Sequence, residues 1–80
     1  MRILLFTKSS TDKIRLPKKV KERLNVEHIS FDTTDLDKLL KVAKYRIINF
    51  PTSLVIDDND KILLKIRGSI PGEYADNLLR

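Results

Sequence analysis

The sequence predicts an α/β domain of order β-α-β-α-β-β-α, with a mixed four-stranded sheet and helices on both of its faces. Three observations lead there. The apolar runs Ile3-Leu4-Leu5-Phe6 and Leu54-Val55-Ile56 have no polar interruption, as strands buried on both faces require. Between them, residues 32–44 carry a helical repeat. After them, the turn-forming quartet Asp57-Asp58-Asn59-Asp60 joins the second run to an alternating one, a hairpin pattern. A right-handed β-α-β crossover makes one strand pair parallel and the hairpin makes another antiparallel, so the sheet is mixed. Eighty residues hold one domain, 1–80, around one core.

The elements follow in order. Residues 2–7 form the first strand. Ser9, Ser10 and Thr11 are good helix N-caps and Asp12 suits a first turn, so a helix is expected from about Thr11 to Leu24. Ile14, Val20 and Leu24 lie near one side of it; Pro17 should kink it or delay its proper start. Residues 26–31 read as the second strand, with Ile29 and Phe31 inward. In 32–44, Leu36, Leu39, Leu40 and Ala43 share a face, Thr34 with Asp37 resembles a capping box, and Lys41 and Lys44 complement the dipole. In 61–67, Ile62, Leu64 and Ile66 oppose Lys61, Lys65 and Arg67, as on an edge strand with one wet face. Gly68, Ser69 and Pro71 open a last short helix with Tyr74, Ala75, Leu78 and Leu79 inward.

Composition narrows the chemistry. There is no Cys, hence no disulfide, thiolate ligand or thiol nucleophile, and one His, His28, hence no histidine cluster for a metal. No metal and no cofactor are expected. His28 is read as an edge or surface residue. Thr11 has no His near it in sequence and is read as a cap, not a nucleophile. The Asp57–Asp60 quartet lacks the Gly and terminal Glu of a calcium loop and is read as a turn. No run reaches the ~18–20 apolar residues of a bilayer span, and the apolar start is too short for a signal peptide. A cytoplasmic location away from membranes is the matching expectation. The formal charge is +5, and most of it lies between Asp12 and Arg23, where six cations face two carboxylates. That stripe is read first as a solvated helix face, then as a contact for an anionic partner.

Ala43-Lys44-Tyr45-Arg46-Ile47, then Phe50-Pro51-Thr52, then Gly68 after a hairpin, resembles the C-terminal half of thioredoxins. Phe6-Thr7-Lys8-Ser9-Ser10, followed by Arg15 and a basic segment, is similar to the N-terminal half of glutaredoxins. The resemblance spans nearly the whole chain and implies a thioredoxin-like fold with a cis bond at Phe50–Pro51. It departs at the decisive point. The family's Cys-x-x-Cys falls on Thr11-Asp12-Lys13-Ile14, without either cysteine, and the family's buried acid falls near Leu5. Thiolate attack on a disulfide is impossible without a thiol.

By the resemblance, a groove for an extended chain would be bordered by Thr11, Ile14, Phe50, Pro51, Thr52, Gly68 and Ser69, with Lys8 beside it. Lys8 matches a glutaredoxin lysine that contacts a glutathione carboxylate. The segment Gly68-Ser69-Ile70-Pro71 lacks the Gly-Gly-x-Asp pattern that completes such a site, so Lys8 is read as solvated. Three functions stay open. The first is a monomeric thioredoxin-fold module without catalytic cysteines, binding a peptide or protein at the cis-proline groove. The second is a thiol-disulfide oxidoreductase of cell redox homeostasis in a cysteine-free form, reductase-like only with cysteines at positions 11 and 14. The third is a basic adaptor for an anionic partner; nucleic acid ranks low, because three Phe and two Tyr make no stacking pattern.

Overall fold

The computed structural model describes residues 1–68, Ile70 and Gly72. Within it run β1 (Arg2–Thr7), α1 (Lys18–Arg23), β2 (Asn25–Ser30), α2 (Leu36–Lys44), β3 (Thr52–Ile56) and β4 (Ile62–Arg67). The sheet order is β2-β1-β3-β4, with β1 parallel to β2 and antiparallel to β3, and β3 antiparallel to β4. The α/β class and the mixed four-stranded sheet are therefore as expected. The last helix expected after Pro71 lies outside the described residues, as does Ser69.

The two uninterrupted apolar runs occupy the two central strands, where both faces are covered. Alternation then sorts their side chains into two cores. Leu4, Phe6, Leu54 and Ile56 meet Ile29 and, from α2 and its exit, Val42, Tyr45 and Ile47. Ile3, Leu5 and Val55 meet Val20 of α1, together with Leu16 and Ile70. The helices thus lie on opposite faces.

α1 departs from expectation. It starts at Lys18, with Pro17 at its N-cap and no side-chain cap bond, and runs for six residues. Pro17 acts through its neighbour: the residue before a proline is pushed out of the helical region, so the helix cannot grow back toward Thr11. Ser9, Ser10, Thr11 and Asp12 instead close a turn, in which Asp12 N–H donates to the Ser9 carbonyl (3.1 Å) and Ser9 N–H to the Asp12 carboxylate (3.0 Å). Thr11 is not a helix cap.

α2 departs too. Its N-cap is Asp35, which accepts from Asp37 N–H (3.0 Å), not Thr34. Most of its expected stripe is turned outward: Leu36 is 68% exposed, Leu40 57% and Ala43 exposed, while Leu39 is half-buried and Val42 is the buried residue. The side toward the sheet carries Val42 and the following Tyr45, flanked by ion pairs from Lys41 to Glu27 (2.8 Å) and Lys44 to Asp60 (3.1 Å). At the C-terminus, Ile47 N–H donates to the Val42 carbonyl (2.9 Å) and Arg46 N–H to the Ala43 carbonyl (3.1 Å). This is a Schellman stop, with Arg46 at φ 53 where glycine is the usual occupant, and with Ile47 packed in the same core as Val42.

Two smaller corrections concern the strands. Phe31 falls just past β2 and is exposed, its ring against Phe50 (centroids 5.5 Å apart), not inward. In β4, Leu64 and Ile66 are half-buried as expected, but Ile62 is exposed: Val55 pairs Leu64 and Ile56 pairs Ile62, so Leu63 bulges and the alternation breaks.

Candidate functional site

At the C-terminal end of β1, the chain turns through Lys8–Asp12 and meets the entry to β3. Asp32, just after β2, fixes this turn by accepting Ser10 N–H on both carboxylate oxygens (3.1 and 3.2 Å). The Ser30 side chain first, and the Ser10 amide second, hold the Asp32 carboxyl below the usual carboxylate range. On the other side, the Phe50–Pro51 bond is cis, as the resemblance implies. Gly68 N–H donates to the Pro51 carbonyl (2.9 Å), and the Thr52 hydroxyl donates to the Asn49 carbonyl (2.6 Å). Gly68 sits at φ +90, a conformation that favours glycine.

Between these two walls lies a cleft of about 380 Å³, lined by Thr7, Lys8, Asp12, Lys13, Ile14, Phe50 and Pro51. Of the residues expected at the groove, Lys8, Ile14, Phe50 and Pro51 come together here. Thr11 is exposed on the turn and does not line it; its hydroxyl pairs with Ser9 Oγ (2.9 Å). Thr52 is buried in β3, and Gly68 is engaged with Pro51 behind the wall. Among the described residues, the N–H and C=O of Phe50 have no backbone partner. The expected positive helix end beside Lys8 and Thr11 is absent, because α1 begins ten residues beyond Lys8.

Sequence reasoning missed Thr7, Asp12 and Lys13 as lining residues. It also missed a second cleft, of about 640 Å³, on the α1 face along β2. Leu5, Ile14, Leu16, Leu24 and Val26 form its apolar surface, with Lys13, Arg15, Lys21, Asp12, Asn25 and His28 around them. The two clefts share Asp12, Lys13 and Ile14. The cation-rich sequence from Lys13 to Lys21 was the visible signal for it.

His28 is an exposed residue of the edge strand β2, as expected, but it is not idle. Its Nε2 lies 2.7 Å from Thr7 Oγ1, and Thr7 is almost fully buried. The Thr7 hydroxyl has one proton and gives it to the Ser9 carbonyl (2.8 Å). Nε2 must then carry the hydrogen and donate to Thr7, which leaves Nδ1 as the open ring nitrogen. Among the described residues no group of three or more His, Asp or Glu is placed to hold a metal ion, and no helix is long and apolar enough to cross a membrane. Comparison of the chain with protein-family models, with curated proteins and with solved structures finds no match.

Proposed function

We propose that the protein is a thioredoxin-like binding module without redox chemistry, which holds an extended peptide of a protein partner in the cleft beside Pro51. The observation that carries this reading is the convergence of Lys8, Ile14, Phe50 and Pro51, far apart in sequence, on one cleft of about 380 Å³. The volume falls within the range of ligand sites. The open N–H and C=O of Phe50 suit main-chain hydrogen bonds from an extended chain, the way peptides add to a sheet edge. A mixed four-stranded sheet with a helix on each face supports the reading, and a chain without Cys has no thiol for disulfide chemistry in the groove. The reading carries with it a cytoplasmic monomer that needs no cofactor.

The test is selection of binders from a random twelve-residue peptide library on the full chain, followed by amide chemical-shift mapping with the best peptide. Shifts at Lys8, Ile14, Phe50 and Gly68, and a loss of about tenfold in affinity for Lys8→Glu with an acidic peptide, are expected. Lys8 is exposed, so this change leaves the fold intact. Peptides that map elsewhere, or a library that yields none, would end the proposal.

A further inference from the structure

The second cleft has a different character from the first, and the peptide reading uses only Ile14 of its lining. It exists because α1 is short. Parallel pairing sets Val26 beside Ile3 and His28 beside Leu5, on the face that α1 should cover. A helix of six residues starting at Lys18 does not reach them, and the non-helical stretch from Asp12 to Pro17 borders the gap. Val26 is 38% exposed there, above the buried Leu5 and Leu16.

Charge around this apolar floor is mostly positive: three cations against the carboxylate of Asp12. Lys13, Arg15 and Lys21 all line the cleft and are exposed. Among the described residues none of the three has an ion-pair partner. Asp12, the one carboxylate in the lining, is committed to Ser9 N–H within its own turn. Elsewhere the molecule does pair cations: Lys41 with Glu27, and Arg2 and Lys44 with Asp60. The cleft therefore joins an aliphatic floor to an excess of cations that form no ion pair among the described residues. Among the described residues no Phe, Tyr or Trp lines it; His28 is its one ring.

We propose that this cleft binds an amphipathic anion: a phosphate or carboxylate head held by Arg15, Lys21 and Lys13, with an aliphatic body lying on Leu5, Leu16 and Val26. Arg15 supplies a planar fork suited to a two-point contact with such a head, and the lysines act as point charges. Each methylene laid on the floor adds favourable burial. About 640 Å³ accommodates a chain of several carbons. The ligand is either a free amphiphile or the headgroup and upper chain of a bilayer lipid.

The experiment titrates the full chain with octyl phosphate below its micellar concentration, with inorganic phosphate and with the neutral octyl glucoside, followed by amide shifts. Octyl phosphate should move Arg15, Leu16, Val26 and His28 and bind at least about tenfold more tightly than either other probe, because only it satisfies both halves of the cleft. Arg15→Gln with Lys21→Gln should cost about tenfold or more, while Lys61→Gln, at the hairpin, should cost nothing. The ligand series on the unaltered chain decides the matter even if the double variant were damaged. Vesicles of phosphatidylcholine with one-third phosphatidylglycerol separate the sources: binding that depends on Arg15 and Lys21 assigns a bilayer lipid, and octyl phosphate binding without vesicle binding assigns a free amphiphile. Equal affinity for inorganic phosphate, no binding of octyl phosphate, or binding indifferent to the double variant overturns the proposal. Peptide selection that fails at Pro51 leaves this outcome untouched, since the two sets of shifts separate at Phe50 and Val26.

Discussion

The two faces of the sheet are closed to different degrees. On the α2 face, a nine-residue helix and its Schellman stop lay Val42, Tyr45 and Ile47 over Leu4, Phe6, Ile29, Leu54 and Ile56, and every one of these side chains is buried. On the α1 face, a six-residue helix contributes one fully buried side chain, Val20, and Ile14, Leu24 and Leu64 stay half-covered at the margin. The large cleft opens on that incomplete side, and the smaller one begins from the same stretch of chain. A sheet with alternating side chains gives both faces the same need for cover. Where the covering helix falls short, the unmet need becomes concave surface. In this chain the shortfall traces to Pro17.

Core truncation should show the difference most strongly. Phe6→Ala removes the largest fully buried side chain from the closed face, and should cost about 3–5 kcal/mol by chemical denaturation. Val20→Ala, at the centre of the open face, removes two carbons and should cost about 2 kcal/mol. If Val20→Ala proves the more damaging, the open face bears more of the stability than its burial indicates, and the comparison fails.

Next in size is an alteration at the end of α2. Arg46 holds a left-handed conformation that disfavours a residue with Cβ, whereas α1 ends at Leu24 in an extended conformation. Arg46→Gly should therefore stabilise the protein by about 1 kcal/mol, seen as a higher denaturation midpoint with unchanged slope. A loss of stability would mean that Arg46 contributes contacts outweighing its backbone cost.

The smallest effect is electrostatic and distinguishes the two ends of the molecule. Asp60 is held below the usual carboxylate range by the Lys44 ammonium first and then by Arg2; Asp58 is lowered by the N-terminal ammonium. Asp32, at the opposite end, is lowered by the Ser30 side chain and the Ser10 amide. A carboxyl whose folded pKa is depressed adds stability that is complete above its unfolded value, near pH 4, and disappears as the pH falls through the lower folded value. Melting temperatures should fall below about pH 4 for this reason. Carboxyl carbon shifts, residue by residue, should show Asp32, Asp58 and Asp60 protonating below the usual carboxylate range. Ordinary titration at Asp32 would mean that the Ser10 turn is not anchored as described.

Strand identity was legible because it rests on burial on both faces: β1 and β3 are the apolar runs, and the acidic quartet between β3 and β4 is the turn. Helix rotation was not legible. Periodicity favours Leu36, Leu39, Leu40 and Ala43, four apolar residues on one face, whereas the sheet-facing stripe is Leu39, Val42 and Tyr45, and the two stripes share Leu39. The sheet takes the second, because it continues into Tyr45 and Ile47 and sets Lys41 and Lys44 beside Glu27 and Asp60. The start of α1 was open to two readings of Pro17, and the restriction on the residue before proline selected the later one. Of the residues expected at the groove, Lys8, Ile14, Phe50 and Pro51 line the smaller cleft. Its Thr7 wall and the cleft along β2 were not legible, since both depend on where an irregular ten-residue connection runs. His28 showed no partner in sequence because Thr7 lies twenty-one residues away, on the neighbouring strand.

The Asp60 carboxylate accepts from Arg2 on one oxygen (2.8 Å) and from Lys44 on the other (3.1 Å), while its own backbone closes the turn onto the Asp57 carbonyl (3.1 Å). The first residue of β1, the last of α2 and the hairpin tip are thereby knotted at one point. In terms of motion, a displacement of Asp60 loosens both partners at once, so two weak surface ion pairs couple the fraying of ends up to fifty-eight positions apart in the chain.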